Sequence, residues 1–180
     1  MAYINSQGLV DDGSSNLTVA GSVSVGTLTS AGQITSSVGA FAELTTQNNG
    51  QSGQNLGAPN TWTQVTQWLT SSLNSPGCVA ANNGITASLP GTYFHSIALS
   101  FSGSAGIYTF ALFLNGQQGN TLQTTIANGQ PFPDSVTISD LDFHGPSDVP
   151  VIHDLRVKCN NAGANFQLNY GTFDVFRFVG

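Results

Sequence analysis

Gly91-Thr92-Tyr93-Phe94, Leu112-Phe113-Leu114-Asn115-Gly116 and the closing run Gly171-Thr172-Phe173-Asp174-Val175-Phe176-Arg177-Phe178-Val179-Gly180 decide the fold. Each is rich in β-branched or aromatic residues and begins or turns at Gly or Asn-Gly, which marks short strands and tight turns. Asn115-Gly116 is the strongest hairpin signal in the chain, because both residues tolerate the positive φ that a two-residue hairpin turn needs. A chain whose last residues include Phe173, Val175, Phe176, Phe178 and Val179 uses this end as a core strand.

The same punctuation continues on either side. Thr61–Gln67 reads as a strand because Thr and Trp dominate it, although Trp62, Val65, Leu69 and Leu73 also fit a helical spacing. Cys78–Ala80 and Ile85–Leu89 flank a turn at Asn82-Asn83-Gly84. Thr92–Phe101, Ile107–Leu114, Leu122–Ala127, Ser135–Phe143, Val149–Cys159 and Asn165–Val179 follow as strands. Asn128–Asp134 is a loop, and Asn160–Gly163 turns between the last two strands. Eight or more short strands with turn signals between them predict an all-β sandwich.

Composition agrees with this and narrows the function. Only 7% of the 180 residues are charged, far below the quarter or so usual in globular proteins. Lys158 is the one lysine, so strand edges have little charge to protect them, and copies of the chain are the simplest cover. With a net charge of −6 and only Arg156, Lys158 and Arg177 positive, phosphate neutralisation is out of reach and no nucleic-acid partner is expected. No apolar run has transmembrane length, and the first residues carry no basic or apolar leader, so neither a membrane partner nor a signal peptide is expected. Without secretion, Cys78 and Cys159 are expected as free buried thiols, and the sequon at Asn16-Leu17-Thr18 is silent.

Three zones are predicted: an extended Gly/Thr-rich N-terminal arm over residues 1–46, a polar linker over 47–60, and a head over 61–180. The arm has no Pro, Cys or cation, and it repeats Thr-x-Ala-Gly-x-[Val/Ile] at Thr18–Val23 and Thr29–Ile34, with a looser copy through Val38–Leu44. Its apolar residues cannot form a core alone and need a surface to pack on, although the composition also fits a disordered linker.

Taken in order, Thr61-Trp62-Thr63-Gln64-Val65, Asn83-Gly84-Ile85, Pro90-Gly91-Thr92-Tyr93-Phe94, the Ile107–Gly116 strand and turn, and Phe173–Phe178 resemble the complement-head and tumour-necrosis-factor-like family. The resemblance covers about two thirds of the chain and implies a jelly roll of ten strands, assembled as a homotrimer with aromatic residues lining the threefold axis. Tyr93, Tyr108, Phe110, Phe113, Tyr170, Phe173, Phe176 and Phe178 are the candidates for that axis, and each could equally be sandwich core. The stretch Phe132–Val151 departs from the family pattern, being longer and more acidic. The arm resembles the repeats in shafts and attachment arms of phage fibres and other virion proteins.

Those resemblances imply a structural protein of the outer capsid surface, made in the host cytoplasm. In the first reading it is a homotrimeric decoration (cement) protein that contacts the major capsid protein through Leu17, Val19, Val23, Val25, Leu28 and Ile34. In the alternative reading the head is the receptor-binding tip of a tail fibre, with Trp62 or Trp68 stacking on a sugar.

No catalytic site is expected. His95 sits within the best strand, where hydrogen-bonded core or interface histidines are the rule. Ser104 lacks the preceding Gly of a nucleophile elbow. Asp134, Asp140, Asp142, His144, Asp148, His153 and Asp154 crowd into 21 residues, and carboxylates in such loops can take Ca²⁺. Their spacing matches no metal motif, so a solvated acidic loop is the simpler reading, and neither metal, cofactor nor small-molecule ligand is expected. Asp140 and Asp142, two apart on a strand, share a face and could be read as a glycosidase pair or as polar decoration.

Overall fold

The computed structural model describes residues 3–4, 10–11, 39–47, 52–127 and 134–178. The chain divides into two units, Met1–Ser36 and Ser37–Gly180. In the first, strands β1 (Tyr3–Ile4) and β2 (Val10–Asp11) pair antiparallel. The six proposed attachment residues between Leu17 and Ile34 lie outside the described residues.

The second unit is an antiparallel jelly-roll sandwich. Its strands are β3 (Phe41–Gln47), β4 (Gln54–Asn55), β5 (Thr63–Gln64), β6 (Leu69–Asn74), β7 (Cys78–Ala81), β8 (Gly84–Ala87), β9 (Gly91–Gly103), β10 (Gly106–Leu114), β11 (Gln117–Ala127), β12 (Asp134–His144), β13 (Val151–Cys159) and β14 (Asn165–Phe178). One sheet has the order β11-β10-β13-β8-β7, with β5 continuing β8 along the same edge of β13. The other has the order β12-β9-β14-β3-β6, with β4 continuing β3 along β14. No helix among the described residues is long and apolar enough to cross a membrane.

The turns form where the expected residues stand. Asn115 and Gly116 have φ of 48° and 78°, so both central residues of the β10–β11 turn are left-handed. Asn82 and Asn83, at 52° and 62°, do the same between β7 and β8. Strand alternation then builds the core: β9 sends Tyr93, His95, Ile97, Leu99 and Phe101 inward. At the centre, the Phe101 ring lies 5.2 Å from both Tyr108 and Phe110 and 5.4 Å from Phe166, an aromatic cluster that joins the two sheets. The Tyr108 hydroxyl, buried with it, donates toward the carbonyls of Ser104 and Asn165 at 3.0 Å each. Cys78 and Cys159 are both free and buried.

The sandwich starts before residue 61. Phe41–Gln47, assigned by its repeat to the arm, pairs along β14 from Phe176↔Phe41 to Tyr170↔Gln47. It buries Ala42, Leu44 and Thr46, which gives the alternation of a half-buried strand. Within the predicted linker, Gln54–Asn55 pairs with β14, and Leu56 N–H donates to the Ala164 carbonyl at 2.9 Å. The predicted strand Thr61–Gln67 shrinks to Thr63–Gln64, paired with Arg156 and Val157 of β13, and Val65 N–H adds one more bond to the Leu155 carbonyl at 2.9 Å. Leu69–Asn74 is a strand on β3, not a helix.

Candidate self-association face

The β12-β9-β14-β3-β6 sheet turns one face to the core and the other outward. Strand register sets the outward residues in rows. Phe41 pairs with Phe176, Phe176 with Phe94, and Phe94 with Leu141, so four apolar side chains line up across β3, β14, β9 and β12. The next row sets Phe178 against Thr92 and Thr92 against Phe143. Phe41, Phe176, Phe178, Leu141 and Phe143 are all exposed, Phe143 by 72% and Leu141 by 60%. A contiguous apolar band on a sheet face marks an interaction surface, whereas scattered exposed apolar residues need no explanation.

Away from the band the face turns polar. Glu43 and Asp174 are direct cross-strand partners. Burial, with the neighbouring Glu43 charge, raises the Asp174 carboxyl above its ordinary range. Beyond them lies an open depression of about 530 Å³ lined by Thr45, Gln47, Ser100, Thr137, Tyr170 and Thr172 among others. Its lining mixes Thr and Ser hydroxyls and the Gln47 amide with the apolar Ala98, Leu99 and Val136, and Tyr170 is its exposed aromatic wall.

A bulge decides which aromatics reach this face. Between Leu168 and Tyr170 the β14–β9 register shifts, so Phe166 and Leu168 point inward before it and Phe173 and Val175 after it. Tyr170, Thr172, Asp174, Phe176 and Phe178 therefore share the outer face. Gly171 faces inward, and a Cβ there would stand 3.1 Å from Trp68 Cζ3. Of the eight candidate axis residues, Tyr170, Phe176 and Phe178 are exposed here. Tyr93, Tyr108, Phe110, Phe113 and Phe173 are buried within the chain's own fold. Phe41, Phe94, Leu141 and Phe143 complete the band and were not among the eight. They become visible only once β3 and β12 are registered on the sheet.

Both candidate sugar platforms pack against the chain's own aromatic rings. Trp68 is 6% exposed and packs against Phe173. Trp62 stacks edge-on against Phe113 at 5.4 Å and carries Lys158 Nζ 4.5 Å from its ring centre. Arg156 lies over Phe113 at 4.3 Å and pairs with Asp154 at 2.7 Å, so two of the three cations are engaged here.

The acidic stretch 134–154 is not one loop. Asp140, Asp142 and His144 lie on β12, and His153 and Asp154 on β13. Asp148 accepts the Gly145 N–H at 2.7 Å and closes a turn. Among the described residues no group of three or more His, Cys, Asp or Glu is arranged to hold a metal ion.

The fold is a jelly roll, and solved structures share it. The chain is similar in fold to the PRD1 vertex protein P5, at 14% identity over 78% of this chain and 97% of that one, with a TM-score of 0.50. It is similar to murine APRIL at pH 5.0, at 11% identity over 78% and 99% of the two chains, with a TM-score of 0.52. The Eiger TNF of S. frugiperda follows at 10% identity over 78% and 94%, with a TM-score of 0.51. No protein-family model and no curated protein matches the sequence.

Proposed function

We propose that this chain is a structural virion protein of a phage, a homotrimeric capsid decoration (cement) protein that associates through its jelly-roll head and attaches by its N-terminal arm. The observation that carries the reading is the in-register apolar row Phe41–Phe176–Phe94–Leu141 on one sheet face. Two further copies of the same chain are its occupants. A partner matched to the Glu43–Asp174 pair would bring cations, whereas a second copy meets the band with an equally apolar band. The fold likeness to a phage vertex protein supports a place on the particle. The arm residues Leu17, Val19, Val23, Val25, Leu28 and Ile34 would add apolar, strand-forming surface to the major capsid protein. No catalytic step belongs to this reading.

The test is copy number in purified virions, by quantitative mass spectrometry against the major capsid protein. Copies comparable with the capsid lattice are expected, and absence from virions would overturn the reading. Replacing the six arm residues with Ser should abolish attachment while the head still self-associates.

One observation favours a second reading, the receptor-binding tip of a tail fibre. The hydroxyl-lined depression beside Tyr170 has the chemistry of a saccharide site, with Tyr170 in place of the buried Trp68 as the stacking ring. A handful of copies per virion, together with cell binding and blocked adsorption by the purified protein, would select it.

A further inference from the structure

Directly behind the apolar row lies a cluster of all three histidines of the chain. His95 on β9 and His153 on β13 come from opposite sheets and meet Nε2 to Nδ1 at 2.7 Å. Their ring centres are 4.7 Å apart, and His144 on β12 stands edge-on to His153 at 5.2 Å. Tyr93 packs on His144 and His153 at 5.3 and 5.8 Å. His95 and His153 are 0% exposed and His144 6%. His95 Nδ1, His144 Nε2, His153 Nε2 and Asp142 Oδ2 are buried with no protein hydrogen-bond partner.

A hydrogen bond between two imidazoles needs one donor and one acceptor, so this packing fits neutral rings. Two imidazolium ions would meet donor to donor at this contact. The charges that could compensate come from few elements. On β12, Asp142 Oδ2 is 3.7 Å from His95 Nδ1, too long for a hydrogen bond, and Asp140 acts on His95 from the same strand. Asp142 and, in the following turn, Asp148 act on His144. From β7 and β14, Cys78 and Arg177 reach only as far as Tyr93. From β13, Asp154 is held by Arg156. Burial outweighs these carboxylates: it pulls His95 down to about 4 and, with the other two rings, His153 to about 2, and it lowers His144 as well.

We propose that His95, His144 and His153 form an acid-operated latch between the two sheets, which holds the apolar face in shape while neutral and releases it when the rings take up protons. The coupling is geometric. On β9, Phe94 points outward where His95 points inward, and on β12 Leu141 and Phe143 alternate with Asp142 and His144. Displacing the inward rings therefore displaces the outward row. This inference rests on the self-association reading for its second half only.

The sign follows from linkage. Folded-state values below the free value of 6.5 mean that the unfolded chain takes protons first. The stability is thus complete above about pH 6.5 and is lost as pH falls below it. Between pH 7.5 and pH 5, His95 and His153 together should raise the unfolding constant by ~10³-fold.

The experiment uses the full chain labelled at histidine ¹³Cε1, titrated by NMR from pH 8 to 4, with sedimentation equilibrium on the same samples. His95 and His153 should stay neutral in the folded protein at pH 5.5, where a free imidazole is about 90% protonated, and His144 should titrate below a free imidazole. At lower pH they should take up protons together as the native signals vanish, and the trimer dissociation constant should rise at least tenfold across that same step. His144→Phe removes one titrating ring and should make the pH dependence shallower. His95→Gln/His144→Gln/His153→Gln, if folded, should remove it. Rings that titrate near 6.5 with the native spectrum intact, or a pH dependence unchanged in His144→Phe, would overturn the latch. A chain that is monomeric at pH 7.5 would instead overturn the self-association reading, and the ring titration would still judge the latch.

Discussion

Replacing Leu141 and Phe143 with Thr should dissolve the proposed trimer and leave the head folded. Both side chains project from the outer face of β12, so little of the fold rests on them, and Thr keeps the β-propensity of the strand. A Phe side chain presents roughly 200 Å². At 72% exposure Phe143 offers about 140 Å², and Leu141, at 60%, about 100 Å². At ~25 cal/mol per Å², covering half of that combined area contributes about 3 kcal/mol per protomer. The double change should therefore weaken association by ~10²-fold per protomer, enough to turn a micromolar trimer into monomers. Folded stability should move by less than about 1 kcal/mol, since exposed positions away from caps and networks are nearly neutral. Light scattering coupled to size exclusion at several concentrations reads the first effect, and thermal melting by circular dichroism reads the second. An unchanged trimer mass in a normally folded L141T/F143T protein would refute the claim that the apolar row is the interface.

Three other outcomes follow from the geometry. Asp174→Asn should strengthen the head at neutral pH: a carboxyl raised by burial and by Glu43 stabilises the fold only when protonated, and that contribution is lost as pH rises above its unfolded value of 3.8, which parallel melts at pH 7 and pH 4 would show as a gain confined to pH 7. Gly103→Ala should cost about 2 kcal/mol in urea denaturation, because its Cβ would stand 2.6 Å from the Tyr108 hydroxyl and 2.7 Å from the Asn165 carbonyl and would break the buried hydrogen bonds there. Cys78, whose thiol burial pushes up to about 12, should resist iodoacetamide at pH 8 in the native chain and react once the chain is unfolded.

Much of the sandwich was legible because its signals are local. Asn115-Gly116 and Asn82-Asn83-Gly84 name their own turns, and the runs from Gly91 to Phe101 and from Val151 to Cys159 carry strand composition at the right length. The missed elements depend on partners far away in sequence. Phe41–Gln47 looks like one more Gly-flanked repeat until β14 supplies its hydrogen bonds. The extended run after Leu168 could not be assigned faces, since one extra residue at the bulge exchanges inside for outside along the rest of β14. That single residue decides that Phe173 is core while Phe176 and Phe178 are surface. The histidine cluster was hidden for the same reason: His95 and His153 are 58 positions apart and meet only when the two sheets close. Spacing along the chain grouped the carboxylates and histidines of 134–154 as one acidic cluster, whereas alternation on β12 and β13 turns His144 and His153 into the core.

The most direct test of the account is the mass of the full chain in solution at neutral pH, by sedimentation equilibrium between 1 and about 50 µM, a range that brackets ordinary homotrimer affinities. A mass of three 18.7 kDa chains is predicted, falling to one chain in the L141T/F143T variant. A single-chain mass across the whole range would contradict the claim that the apolar face exists to join copies of this protein.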